Sequence, residues 1–188
     1  MFTPTLLALA ADPATITPVR LWQVLSREDR VKAILTALNS DDSQGMRGYF
    51  TGLVASGRGG FRAATIRKWT KEELAARVAR EPLTMVNSLL VDLHFPDRAH
   101  IQAAFYDDLG IPHDNGRTDE AVAPTVVPHD KIPAAADRLI AQFPEDQGLF
   151  YLLTIWALDP KLWAGLERWL RGFAARVPPS NLGSRKTC

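Results

Sequence analysis

The chain has 188 residues, 46% of them apolar and 23% charged, with a formal net charge of +1. That mix is globular, and the near-neutral balance excludes bulk electrostatic adhesion to nucleic acid or anionic membrane while leaving room for a local patch. The single cysteine is Cys188, which excludes an intramolecular disulfide and points to a reducing compartment.

The first residues, MFTPTLLALAADPA, carry no positive charge ahead of the short run LLALAA, so they do not read as a signal peptide. The longest apolar run, LFYLLTIWAL at 149–158, is about half of what a membrane span needs. The expectation is a soluble, cytoplasmic protein.

From here the periodicity is helical. Ser26 is a plausible N-cap, and Val31, Ile34, Leu35 and Leu38 then fall on one helix face. A second helix is predicted from Met46 to Ala55. Thr70 with Glu73 makes a capping box, after which Leu74, Ala75 and Val78 face inward. Beyond Pro82 a helix carries Met85, Val86, Leu89, Leu90 and Leu93. Ile101, Ala104, Phe105 and Leu109 form the next stripe, and Gly110 is placed to stop it. Residues 111–130 hold three prolines and an Asn-Gly turn signal, which predicts one long irregular loop. Helices resume near Pro133, with Leu139, Ile140 and Phe143 on one face. After LFYLLTIWAL and Asp159-Pro160, residues 161–177 predict a helix with Leu162, Trp163, Leu166, Trp169, Leu170 and Phe173 as a wide apolar stripe. Pro178-Pro179 end it, and 178–188 read as a disordered tail. No strand pattern is found.

The stretch ASGRGGFR at 55–62 is glycine-rich, but no strand precedes it and no Lys-Ser or Lys-Thr comes after it, so it is neither a P-loop nor a dinucleotide fingerprint. Gly57 is expected to end a helix in a left-handed cap, Gly59 and Gly60 to reverse the chain, and Phe61 to return to the core. The charge pattern around it is uneven. Residues 58–80 carry Arg58, Arg62, Arg67, Lys68, Lys71, Arg77 and Arg80 against Glu72 and Glu73, whereas 81–120 carry eight acids against Arg98 and Arg117. The two blocks could meet inside the protein or lie as solvated faces. Alternatively, Arg58, Arg62, Arg67 and Lys68 form an anion site, with Phe61 and Trp69 able to stack on bases.

Asp92, His94, Asp97 and His100 fall within nine residues, and Pro-His-Asp occurs at both 112–114 and 128–130. These are metal-ligand types, and Asp97 with His100 has a helical i, i+3 spacing, but His94 lies before the break at Pro96, and the Pro-His-Asp repeats read as loop turns whose aspartates cap the next segment. No metal site is assigned, no nucleophile motif such as GxSxG is present, and no cofactor is expected.

The sequence therefore predicts an all-α, single-domain bundle of roughly seven to nine helices over 1–177, with a helical-repeat array as the alternative. The expected function is a non-catalytic protein-interaction module, an adaptor or assembly subunit, contacting another protein or itself through Trp163, Trp169 and Phe173. A small metal- or phosphate-handling enzyme using the His and Asp residues of 92–130 is the alternative. A nucleic-acid binder acting through 58–80 is third, and no membrane partner is expected.

Overall fold

The helix boundaries obey local chemistry at most of the predicted places. The computed structural model describes residues 3–57, 61–81, 83–94, 98–118, 127–143 and 146–177. In it the Ser26 hydroxyl accepts the Asp29 amide at 3.0 Å and starts α3 (Arg27–Leu38). The Thr70 hydroxyl accepts the Glu73 amide at 3.1 Å while the Glu73 carboxylate accepts the Thr70 amide at 2.8 Å, so the capping box of α6 (Lys71–Val78) is closed on both sides. Gly110 ends α8 (Ala99–Leu109) in the left-handed region, φ 72°.

Among the described residues there are eleven α-helices and no strand, so the chain is all-α with more helices than periodicity predicts. The additions are α1 (Pro4–Ala11), α2 (Pro18–Val24) and the four-residue α5 (Ala63–Ile66). Helix α4 (Ser43–Ser56) also extends beyond both predicted ends. The remaining helices are α7 (Val86–His94), α9 (Ile132–Gln142), α10 (Gln147–Leu158) and α11 (Gly165–Arg176).

Two local expectations are corrected. Gly57 is extended, with φ −72° and ψ 168°, not left-handed. Its lack of a side chain instead clears the Glu81 carboxylate, which a Cβ would meet at 3.2 Å. Helix α11 begins at Gly165 rather than at 161, because the Asp159 carboxylate accepts the amides of Lys161 and Leu162 and holds a separate turn there. Trp163 sits on that turn.

The chain divides into two compact units: Met1–Val24 with Arg98–Cys188, and Leu25–Asp97. In the first, α1 packs on α11, α2 on α10, and α9 lies against α8, α10 and α11. The Thr3 amide donates to the Asp146 carboxylate at 2.8 Å, and the Trp156 indole to the Pro13 carbonyl at 3.1 Å. In the second unit, α3 packs against α4, α6 and α7, and α4 also meets α5 and α6. Ile34, Leu38, Phe50, Ile66, Leu74 and Leu89 are fully buried in its core. The predicted tail, 178–188, lies outside the described residues.

Loss of an N-cap side chain costs about 1 kcal/mol. Thr70→Ala should therefore lower the urea midpoint by that amount of stability without changing the slope. An unchanged midpoint would mean that the box adds nothing to this helix.

Candidate functional site

The aromatic residues expected to form a contact surface are buried. Trp163, Trp169 and Phe173 are 4%, 5% and 7% exposed. Trp163 lies parallel to Tyr106, interplanar angle 9°, and tilted against Phe105. Trp169 stacks on Phe173 with centroids 4.9 Å apart, and its indole donates to Asp137 at 2.9 Å. Asp137 also takes the Arg176 guanidinium at 3.1 Å. The stripe of α11 is thus satisfied inside its own unit, against the neighbouring helices α1 and α9.

The histidines are dispersed over different tasks. His94 is buried at the end of α7, whereas His100, on α8, is exposed and lies against the Phe143 ring at 5.5 Å. Asp97 lies outside the described residues. Burial raises the Asp92 carboxyl above the ordinary carboxylate range. His129 is exposed ahead of α9.

His113 belongs to a built turn. Asn115 and Gly116 both have positive φ, 49° and 84°, as a two-residue Asn-Gly turn requires. The amide of Asp114 donates to the Arg117 carbonyl and the amide of Arg117 to the Asp114 carbonyl, at 2.7 and 2.8 Å. The His113 Nδ1 accepts the Gly116 amide at 3.1 Å, which leaves Nε2 as the N–H that donates to Asp107 at 3.1 Å. Both ring nitrogens are committed, so the histidine holds the turn. Gln102 fastens the turn to α8 by donating to the Gly116 carbonyl at 2.8 Å. Neither aspartate of the two Pro-His-Asp repeats caps a helix: the Asp114 side chain accepts from Asn115, and Lys131 holds the N-cap position of α9 without a side-chain bond. Among the described residues, no three His, Cys, Asp or Glu side chains gather to hold a metal ion.

The basic segment resolves into tied and untied charges. Lys71 donates to the Asn39 side chain at 2.7 Å, and Arg77 pairs with Glu81 at 3.0 Å while lying 5.4 Å over the Phe61 ring. The Arg77–Glu81 pair joins the basic and acidic blocks within one helical turn, whereas Asp108 pairs with Arg138. Phe61 is 38% exposed rather than in the core, edge-on to Trp69. Arg62, Arg67 and Lys68 are exposed and pair with no carboxylate among the described residues. Arg58 lies outside them.

Arg67 forms one wall of a groove of about 680 Å³ in the 25–97 unit, lined by Gln44, Arg47, Gly48, Thr51, Gly52, Ala63 and Arg67. Among the described residues no carboxylate lines it. Arg47 crosses from α4 and donates its guanidinium to the carbonyls of Arg67 (3.2 Å) and Trp69, which fixes α4 against the end of α5. Phe50 and Val54 bury the opposite face of α4. Gly48 and Gly52 form the floor, and a Cβ at either would meet nothing within 4 Å. Periodicity does not reveal this groove, and the signal for it in the sequence is two glycines four apart inside a predicted helix.

No family model, no curated protein and no solved structure matches the chain, so its function is argued from its own residues. Among the described residues no helix is long and apolar enough to cross a membrane.

A folded-state carboxyl held above its unfolded value favours folding at low pH, and that contribution is lost as pH rises through the folded value. Asp92→Asn should therefore raise the urea midpoint at pH 7, and the gain should vanish near about pH 3, where both side chains are neutral. An equal gain at both values would contradict the burial account. At Gly116 a Cβ would meet the Ala99 carbonyl oxygen at 2.7 Å on top of its positive φ. Gly116→Ala should cost about 1–3 kcal/mol, read by thermal unfolding, and a neutral result would show that the turn relaxes freely.

Proposed function

We propose that this chain is a non-catalytic helical protein-interaction module, an adaptor or assembly subunit, whose contact surface is the α4–α5 groove. The observation that carries this reading is the pair Gly48 and Gly52. Glycine inside a helix costs about 1 kcal/mol relative to alanine. At Gly45 a Cβ would meet the Asp42 carboxylate at 2.5 Å, so that exposed side chain would have to swing aside. At Gly48 and Gly52 there is no such contact: neither has positive φ, and the space above each is open. What the missing side chains provide is close approach from outside. Tyr49 and Phe61, each 38% exposed, add apolar area on the same unit, as at protein interfaces.

The aromatic surface on α11 is the weaker version of the same reading. Trp163, Trp169 and Phe173 would have to leave the core to meet a partner, and re-exposing a large apolar side chain costs roughly 1.5–3 kcal/mol.

The test is site-directed cross-linking in the cells that make the protein. Gln44, an exposed residue of α4 that lines the groove, is replaced by photoreactive p-benzoylphenylalanine, and in a control Glu28, whose side chain is 80% exposed on α3, is replaced instead. Light should give a discrete protein adduct, to a partner or to a second copy, from position 44 and none from position 28. No adduct at 44, or equal labelling at both positions, would remove the groove as a contact surface.

A further inference from the structure

We infer that the partner of the α4–α5 groove is an acidic helix that crosses α4 over Gly48 and Gly52 with a small residue of its own at the crossing point. This rests on the interaction reading above and goes beyond it by naming the partner's charge and conformation.

The charge is set by the lining. Among the described residues the groove contains Arg47 and Arg67 and no carboxylate, and Arg62 and Lys68 extend the exposed cationic edge in sequence. Arg47 is held in place by two backbone carbonyls, so it contributes a fixed positive charge, while Arg67 is exposed and able to fork onto a carboxylate. An anionic partner is steered toward such a surface, and a cationic one is repelled.

The helical conformation is dictated by what the groove withholds. A bound extended segment needs backbone partners, usually from a sheet edge. The described residues form no strand, and the floor is the side of an α-helix whose amides are bonded within it. A helix satisfies its own backbone groups and asks only for shape. Two glycines four residues apart lower one ridge of α4, so that a second helix can approach more closely than the usual 8–10 Å between axes.

Nucleic acid fits the same groove less well. One face of Phe61 already lies under Arg77, and the ring meets Trp69 in an edge contact, so a base could not be sandwiched between the two rings. Two arginines in the groove are also few for an electrostatic footprint on phosphates.

The experiment is a selection of displayed helical peptides of about 20 residues, roughly 30 Å long, on the full chain. Selected peptides are then synthesised and titrated by fluorescence anisotropy against the wild type, Gly48→Leu/Gly52→Leu and Arg67→Glu, with circular dichroism to show that each variant keeps its helices. The expected result is enrichment of Asp and Glu together with Ala, Gly or Ser at the crossing position. Affinity should fall at least about tenfold in each variant, and Arg67→Glu should recover binding to the peptide with Lys in place of Glu. Binders that depend on Gly48 and Gly52 but are not acidic would overturn this inference and leave the interaction module standing. Binders indifferent to both variants would overturn both. A single-stranded oligo-dT that binds and is lost in Arg67→Glu, where no acidic peptide binds, would replace the helix with nucleic acid.

Discussion

Thr3 and Pro13 are tied to Asp146 and Trp156, and the organisation of the unit formed by Met1–Val24 and Arg98–Cys188 depends on that closure. The Trp156 indole donates to the Pro13 carbonyl and the Thr3 amide to the Asp146 carboxylate, each spanning 143 positions. The Trp156 bond is buried and the Thr3 bond exposed; a buried donor left without its partner costs about 1–3 kcal/mol, so the Trp156 bond does most to fix the turn after α1. Apolar packing of α1 on α11 supplies the bulk of the attachment. Because the first and last segments share a core, residues 25–97 form an insertion that has to carry a core of its own. Long insertions are tolerable on entropic grounds, since each doubling of loop length adds only about 0.6 kcal/mol.

The inserted unit meets that demand with α3 at its centre. Helix α4 has two unlike faces. Its inner face buries Phe50 and Val54, and Arg47 staples it to the end of α5. Its outer face carries Gly48 and Gly52 with nothing above them. The helix is therefore held firmly on one side and left flat on the other, an arrangement suited to receiving a rigid partner without first ordering itself. Preorganisation of that kind lowers the cost of association.

Much of the fold is legible in the sequence because it rests on local chemistry. Ser26, the Thr70–Glu73 pair, Gly110 and Asn115-Gly116 each act on residues within a few positions, and all four do what their types imply. The failures share a different cause. Helix α1 is apolar almost all round, so it shows no stripe and resembles the apolar part of a leader more than an amphipathic helix. Helix α5 is too short for a period to register. A glycine after a helix usually caps it in the left-handed region, but at Gly57 the nearby Glu81 carboxylate decides the role. The partition into two units depends on pairings more than a hundred residues apart, which no window along the sequence can see. The candidate site suffers from the same blindness. Tryptophans on α11 and its leading turn suggest an exposed surface, yet Asp137 and Tyr106, distant in sequence, complete their burial. Arg67 stands out in the sequence as an anion contact, but the glycines beside it do not. Only the packing around α4 distinguishes a glycine that makes room for a neighbour inside the chain, such as Gly45, from glycines that make room for nothing within it.

The central claim is that Gly48 and Gly52 are not required by the chain's own fold. Urea unfolding of Gly48→Ala/Gly52→Ala tests it most directly. If the space above α4 is open and the backbone there is ordinary helix, each alanine should stabilise the isolated protein by about 0.4–1 kcal/mol, with the unfolding slope unchanged. A loss of stability in the double variant would mean that the glycines serve internal packing, and the case for an external partner at this groove would fall with it.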